Sequence, residues 1–308
     1  MAGTRPLVWL PFDPDRLHAP PPELRYDVFL PEEGKEPMDS VHEVEFYVPP
    51  YRFSRHAAEV IDQMSSLRVV QTLTAGVEHI AGHVPERVVL CNGRGIHDAS
   101  TAELAMALML ASLRGLPAFV RAQERGEWVN GERPSLADRT VLIVGYGAIG
   151  AALERRLSGF EVDVLRVART AREGVHGFDS LPELLPHADV VVLIVPLTVE
   201  TRGMVDAELL ARMKDGALLV NVARGPVVDT EALLAELTAE RLYAALDVTD
   251  PEPLPADHPL WSAPNLLVSP HVGGATSAMW PRSYRLVQAQ LERFAAGQPL
   301  ANVMNGEY

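Results

Sequence analysis

The sequence predicts two α/β domains, the larger built on a doubly wound parallel sheet, and three observations carry that expectation. Short apolar, β-branched runs alternate with helical spacings along the whole chain. One of those runs, in residues 140–157, is a strand, turn and helix punctuated by three glycines. The length of 308 residues is too great for one ordinary compact core and suits two.

Composition narrows the function classes. The hydrophobic fraction of 47% and charged fraction of 22% are those of a globular protein. A formal charge of −14 excludes a general nucleic-acid or membrane-surface binder, which needs a positive field, so any cationic site must be local. The single cysteine, Cys91, rules out an internal disulfide and fits a reducing, cytoplasmic setting. It ends the run Val88-Val-Leu-Cys91, where a packed thiol is expected and not a nucleophile. The N-terminus has no secretory-leader pattern, no apolar run is long enough to span a bilayer, and no metal site is expected.

In the first domain, residues 6–10, 26–30, 44–48 and 68–71 read as short strands, and 55–67 carry a helical apolar spacing. The proline run 19–22 and the charge cluster Glu32-Glu-Gly-Lys-Glu36 read as solvated loops. At Thr74-Ala-Gly-Val-Glu-His79 a strand runs into a glycine turn, whose backbone N–H groups can form a small anion nest. Ser100 followed by Glu103 predicts a capping box opening a helix that runs to a stop at Gly115. That helix is apolar nearly all round, which implies burial on more than one side or a subunit contact. The domain boundary is placed just before it, giving 1–97 with 283–308 and 98–282.

The segment Thr140-Val-Leu-Ile-Val-Gly-Tyr-Gly-Ala-Ile-Gly150 reads as a buried strand and tight turn leading into a helix. Gly145 permits the turn, Gly147 lets backbone approach a diphosphate, and Gly150 lets helix pack on strand. A diphosphate then meets the free N–H groups and positive dipole end of the helix. This is a Rossmann-type reading, and strands at 161–167, 189–195, 217–222, 244–246 and 265–268, with helices at 181–185 and 229–237, continue it. Ligands of such sheets lie at the carboxyl ends of the strands, where Arg224, Asp247 and His271 follow three different strands.

Those residues stand in segments that resemble one family. Gly145-Tyr-Gly-Ala-Ile-Gly150, Pro196-Leu-Thr-Val-Glu-Thr-Arg-Gly203, Val220-Asn-Val-Ala-Arg-Gly225, Leu246-Asp-Val-Thr-Asp-Pro-Glu-Pro-Leu-Pro255 and Pro270-His-Val-Gly-Gly-Ala-Thr276 are similar, in order and spacing, to the D-2-hydroxyacid dehydrogenases. The resemblance covers residues 72–298 and implies a smaller flavodoxin-like substrate domain beside the Rossmann domain. It implies a catalytic set of Arg224, Glu252 and His271. There histidine gives a proton to a 2-oxo acid carbonyl while nicotinamide delivers hydride to the carbon, and Glu252 favours the charged ring. Arg224 presents a planar fork to the substrate carboxylate, and the backbone at Ala75, Gly76 and Val77 meets its far side.

By the same resemblance the dinucleotide runs along Gly145, Tyr146, Gly147, Ala148 and Ile149. It continues past Pro196, Thr201, Val222 and Ala223 to Thr101, Asp247, His271 and Gly273, with Asp247 accepting from the carboxamide. One departure bears on the cofactor. The acidic residue that NAD-preferring members place after the second strand is missing, and Ala168-Arg169-Thr170-Ala171-Arg172 stands there. Arg169, Thr170 and Arg172 suit a 2′-phosphate, so NADP(H) is expected to be preferred, with NAD(H) possible.

The expectation is a reductase most like the glyoxylate and hydroxypyruvate reductases. It would be a homodimer with residues 100–113 as a contact helix, with hinge closure between the domains excluding water. A non-catalytic dinucleotide-sensing corepressor and a phosphoglycerate-dehydrogenase-like oxidation of a phosphorylated hydroxy acid stay open. Formate oxidation is disfavoured by Glu252, where formate-oxidising members carry glutamine. The runs around Arg52, Arg55 and Trp280 either recognise the substrate side chain or are surface.

Overall fold

A computed structural model describes residues 5–30, 38–51 and 55–304. The expected loop at 32–36 and Arg52 lie outside them, as does the side chain of Arg55. The chain forms two compact units, 1–97 with 277–308, and 98–276.

In the first unit, β1 (Leu7–Leu10), β2 (Arg25–Val28), β3 (Val44–Tyr47), β4 (Val69–Gln71) and β5 (Val89–Cys91) pair in parallel in the order β2-β1-β3-β4-β5. β1 is buried throughout, as expected of a central parallel strand covered on both faces. On one face Trp9 stacks on Phe29 with ring centroids 4.2 Å apart. The helix expected over 55–67 is shorter: α1 (Arg55–Glu59) tightens into a 3-10 turn at Val60–Gln63. Its apolar spacing is right, with Ala57, Ala58, Ile61 and Met64 buried. Past Gln63 the backbone makes turn bonds in place of helical ones: Met64 N donates to Ile61 O at 3.0 Å, Ser65 N to Gln63 O at 3.1 Å and Leu67 N to Met64 O at 3.1 Å.

The second unit holds α2 (Asp98–Leu113), α3 (Leu116–Glu124), β6 (Thr140–Val144), α4 (Ala148–Leu157), β7 (Asp163–Val167) and α5 (Leu181–Leu184). β8 (Val190–Leu193), α6 (Ala207–Arg212), β9 (Leu218–Asn221), α7 (Thr230–Thr238), β10 (Tyr243–Leu246) and β11 (Leu266–Val268) complete it. The six strands are parallel in the order β11-β10-β9-β8-β6-β7. From β6 the chain steps to one side, to β7, and then crosses to β8 on the other. The strand order therefore reverses beside the carboxyl end of β6, where such sheets bind ligands. One apolar face packs Leu142, Leu193, Leu219 and Leu246; the other packs Ile143, Val192, Val220 and Ala245 beneath α2 and α4.

α2 begins at Asp98, not after Ser100, so the expected capping box is absent. Ser100 lies in the first turn and its hydroxyl bonds Thr276 Oγ1 at 2.7 Å, a partner remote in sequence. The helix ends as expected at Gly115, in the left-handed region at φ +67°. α3 and α6 are not among the expected elements. The return to the first unit falls at Ser277 and not at 283. α8 (Met279–Ala295) is one continuous helix, and Met279, Val287 and Leu291 bury against Val8, Leu10 and Phe46 of the first unit. A boundary inside it would split its apolar face.

A Cβ at Gly150 would lie 2.7 Å from Gly145 O and 3.2 Å from Ile143 Cγ2, so α4 approaches β6 only because residue 150 lacks one. Gly150→Ala is expected to lower the melting temperature by roughly 2–12 °C, from an overpacking cost of about 1–3 kcal/mol. Thermal unfolding followed by circular dichroism measures it.

Candidate active site

The glycine turn is built by close backbone contact. Gly145 has φ +108°, and a Cβ there would meet Ile194 O, just past β8, at 2.4 Å. Gly147 caps α4 with no side-chain hydrogen bond, and a Cβ on it would meet nothing within 4 Å. Glycine at 147 is thus not required by protein packing; it leaves open space over the start of α4. Ala148 and Ile149 occupy the first helical positions, whose N–H groups have no intrahelical carbonyl. An uncapped positive helix end facing open space fits a dinucleotide diphosphate.

Tyr146 is tied down at both its backbone and its side chain. Its carbonyl accepts from Arg172 Nη2 at 2.7 Å and its hydroxyl donates to Glu154. Glu154 also pairs with Arg166, with Nε donating to Oε2 at 2.9 Å, and this bond holds the carboxyl below its ordinary range. The guanidinium carbons of Arg166 and Arg172 each lie 5.8 Å from the Tyr146 ring centre. Arg169 and Thr170 are exposed just beyond β7.

A second cluster forms at the ends of β9, β10 and β11. Asn221, fully buried, accepts at Oδ1 from Ala223 N at 3.0 Å and donates from Nδ2 to Arg224 O at 3.0 Å, bracing the turn that carries Arg224. Gly225 then lets this turn press on the next loop: a Cβ there would sit 1.9 Å from Thr249 O. Beyond Thr249 in that loop comes Glu252, whose Oε1 lies 2.5 Å from His271 Nδ1. The pair is half-exposed. The bond to Glu252 raises the His271 pKa and lowers that of Glu252, while burial of His271 and the charge of Arg224 oppose the histidine shift in part. With Nδ1 bonded to a carboxylate, Nε2 is the nitrogen left to face a substrate.

His271 sits at φ +51°. Asp247, 3% exposed, fixes this loop. Its Oδ1 accepts from Ser269 Oγ at 2.6 Å and Val272 N at 2.9 Å, its Oδ2 from Gly273 N at 2.9 Å, and its carbonyl from His271 N at 2.7 Å. A Cβ at Gly273 would meet Asp247 Oδ2 at 2.9 Å and Thr101 Cγ2 at 3.7 Å, so Thr101 lies beside the same loop.

Other expected residues divide. Pro196 is half-buried, and Val222 and Ala223 are nearly covered. Thr201 is 2% exposed, and its Oγ1 donates to Pro196 O at 2.6 Å and accepts from Thr198 N at 2.9 Å, so its hydroxyl ties its own loop together. In the other unit, Ala75, Gly76 and Val77 form the turn after β4. Gly76 and Val77 are buried, and their N–H groups donate to no acceptor among the described residues. A buried unpaired N–H is costly, and two in succession ask for an anion.

Residues 106–273 match a family model described as "D-isomer specific 2-hydroxyacid dehydrogenase, NAD binding domain". The chain belongs to the D-isomer specific 2-hydroxyacid dehydrogenase family. It is 36% identical over 231 residues to glyoxylate/hydroxypyruvate reductase B of Salmonella schwarzengrund, covering 70% of this chain and 71% of that protein. A D-isomer specific 2-hydroxyacid dehydrogenase of Xanthobacter autotrophicus Py2, solved with NADPH and MES, superposes with a TM-score of 0.81 at 31% identity over 97% of each chain. An NADPH-dependent glyoxylate/hydroxypyruvate reductase of Sinorhizobium meliloti, solved with NADP and sulfate, gives 0.81 at 27% identity over 97% of each. The protein is an NAD(P)-dependent oxidoreductase of 2-hydroxy acids.

In this dehydrogenase Cys91 is fully buried, and burial pushes its thiol up to about 11, which fits the packed reading. No group of His, Cys, Asp and Glu side chains able to hold a metal ion occurs among the described residues. Sequence reasoning assigned no role to Asn221, Gly225, Ser269 or Glu154: the last three act through partners outside their own turn, and Asn221 acts through the fold of the turn that follows it. A polar residue ending an otherwise apolar strand, as Asn221 does, is the one local sign.

The His271 shift gives a direct test. Its raised pKa comes first from the Glu252 bond, so in Glu252→Gln the ring is expected to titrate at lower pH than in the parent. The Cε1 proton resonance followed against pH measures this, and burial alone would leave the midpoint unmoved.

Proposed function

We propose that this dehydrogenase reduces a small 2-oxo acid, of the glyoxylate or hydroxypyruvate kind, to the D-2-hydroxy acid with NADPH preferred over NADH. The observation that carries the reading is the Glu252–His271 bond at 2.5 Å, which fixes the ring and raises its pKa, favouring the protonated form a proton donor needs. The reaction consumes one hydride and one proton per carbonyl. Gly145 to Ile149 would hold the dinucleotide, whose nicotinamide would supply the hydride. His271 Nε2 gives the proton to the carbonyl oxygen, and Glu252 stabilises the imidazolium before transfer. Arg224, carried on the Asn221-braced turn, grips the substrate carboxylate and polarises the adjacent carbonyl. Within their own unit, the buried N–H groups of Gly76 and Val77 suit a carboxylate oxygen of the substrate.

NADPH preference is supported by Arg169, Thr170 and Arg172 where an acid would serve NAD, by the anchoring of Arg172 on the glycine turn, and by the NADP complexes of the relatives. The dehydrogenase acts as a homodimer through the nucleotide-binding unit. α2 spends most of its surface inside that unit, on α4, β9 and β10. The contact is therefore assigned to α3 and the chain after it, where Leu116, Val120 and the 93%-exposed Trp128 present apolar surface.

His271→Ala is expected to lower kcat by about 10²–10⁴-fold while leaving the NADPH dissociation constant nearly unchanged, and Arg224→Ala also to raise KM for the 2-oxo acid. Stopped-flow turnover and fluorescence titration of NADPH measure the two effects; full turnover without His271 would place the proton donor elsewhere. Arg169→Ala with Arg172→Ala should raise KM for NADPH much more than for NADH. An equal rise for both would reject the 2′-phosphate assignment.

A further inference from the structure

The turn after β4 is held by its carbonyl oxygens. A trans peptide unit is planar, with its C=O and N–H pointing in opposite directions, so whatever grips the oxygen of one residue aims the N–H of the next. Asn92 Nδ2 donates to Ala75 O at 3.1 Å and thereby aims the N–H of Gly76. Thr74 Oγ1 donates to Gly76 O at 2.6 Å and aims the N–H of Val77. The Thr74 carbonyl is fixed in turn by Thr72 Oγ1 at 2.9 Å and Gly93 N at 2.7 Å. The segment at Gly93 comes this close because residue 93 has no Cβ, which would lie 2.7 Å from Leu73 C and O.

Asn92 is itself immobilised. It is buried; its Oδ1 accepts from Arg94 N at 3.2 Å, its N–H donates to Asn302 O at 3.0 Å, and its carbonyl accepts from Gln71 Nε2 at 3.0 Å. Gln71, fully buried, accepts at Oε1 from Gln290 Nε2 of α8 at 2.7 Å. A chain of buried amides thus runs from α8 to the turn. Such a network is stabilising only when every member is satisfied, and here it ends on the oxygen that orients Gly76.

We propose that Asn92 and Thr74 are positioning residues that aim the Gly76 and Val77 N–H groups at the substrate carboxylate, and so set KM for the 2-oxo acid. The proposal rests on the reading above that these two N–H groups hold that carboxylate. The test uses the full chain with glyoxylate and NADPH. Asn92→Asp keeps the size and the acceptor for Arg94 N but removes the donor to Ala75 O; Thr74→Val removes the hydroxyl. Each is expected to raise KM for glyoxylate at least about 10-fold, with kcat changed less than about 3-fold and KM for NADPH unmoved. Thr74→Ser should restore the parent KM. A purely structural role would lower the melting temperature and the active fraction but leave KM of the surviving enzyme at the parent value, and that result in both variants overturns the proposal. Titrating oxalate into the parent complex with NADP+ separates the two levels. Shifts of the Gly76 and Val77 amide resonances uphold the underlying reading whatever the variants do. Their absence removes that reading and the proposal with it.

Discussion

The carboxylate of Asp247 is the constraint on which the Glu252–His271 cluster depends. It is almost wholly buried, and a buried charge persists only where donors converge on it. Three do, Ser269 Oγ, Val272 N and Gly273 N, while the Asp247 carbonyl takes the N–H of His271. Together they wrap the chain after β11 around the end of β10 and hold His271 at φ +51°, a conformation a non-glycine residue keeps only when its surroundings impose it. Gly273 belongs to the same arrangement, since a Cβ there would touch Oδ2. A carboxylate has about four lone-pair positions, so Oδ2 keeps acceptor capacity beyond the clamp. Asp247 is therefore first a brace, and the carboxamide contact expected of it would be a second use of the same group.

Charge is arranged just as locally. The chain carries −14 overall, yet Arg166, Arg169 and Arg172 gather at the end of β7 beside the glycine turn. Glu154 neutralises Arg166 and pins the Tyr146 hydroxyl, while Arg172 is tied to the Tyr146 carbonyl and Arg169 is exposed. Only part of the positive charge is thus committed to structure.

How much of this was legible depended on whether a residue's partner is near in sequence. The glycine turn was readable from the strand pattern before it and from Gly150, which answers to backbone five residues away, although the contact that requires Gly145 comes from Ile194, just past a later strand. The parallel sheet was readable for the same reason, each strand being a short buried run. Arg224, Glu252 and His271 could be brought together only by the ordered motifs of a family, since no local rule joins residues on three loops. The misses have both non-local and local causes. Ser100 looks like a helix cap until Thr276 is placed against it. α3 opens with Leu116-Pro117 directly after the glycine that stops α2, so the stop signal hid the restart. α6 is a short helix behind the Asp206 cap, whose Oδ1 accepts from Leu209 N.

The central claim is that the Arg224 and His271 loops serve one reacting carbonyl beside a dinucleotide seated on the glycine turn. A crystal structure of the chain with NADP+ and oxamate tests it most directly. The account predicts the diphosphate against the N–H groups of Ala148 and Ile149, oxamate bound by Arg224, and His271 Nε2 within hydrogen-bonding distance of its carbonyl oxygen. Oxamate on Arg224 with His271 turned away from it, or a diphosphate seated elsewhere on the sheet, would contradict the account.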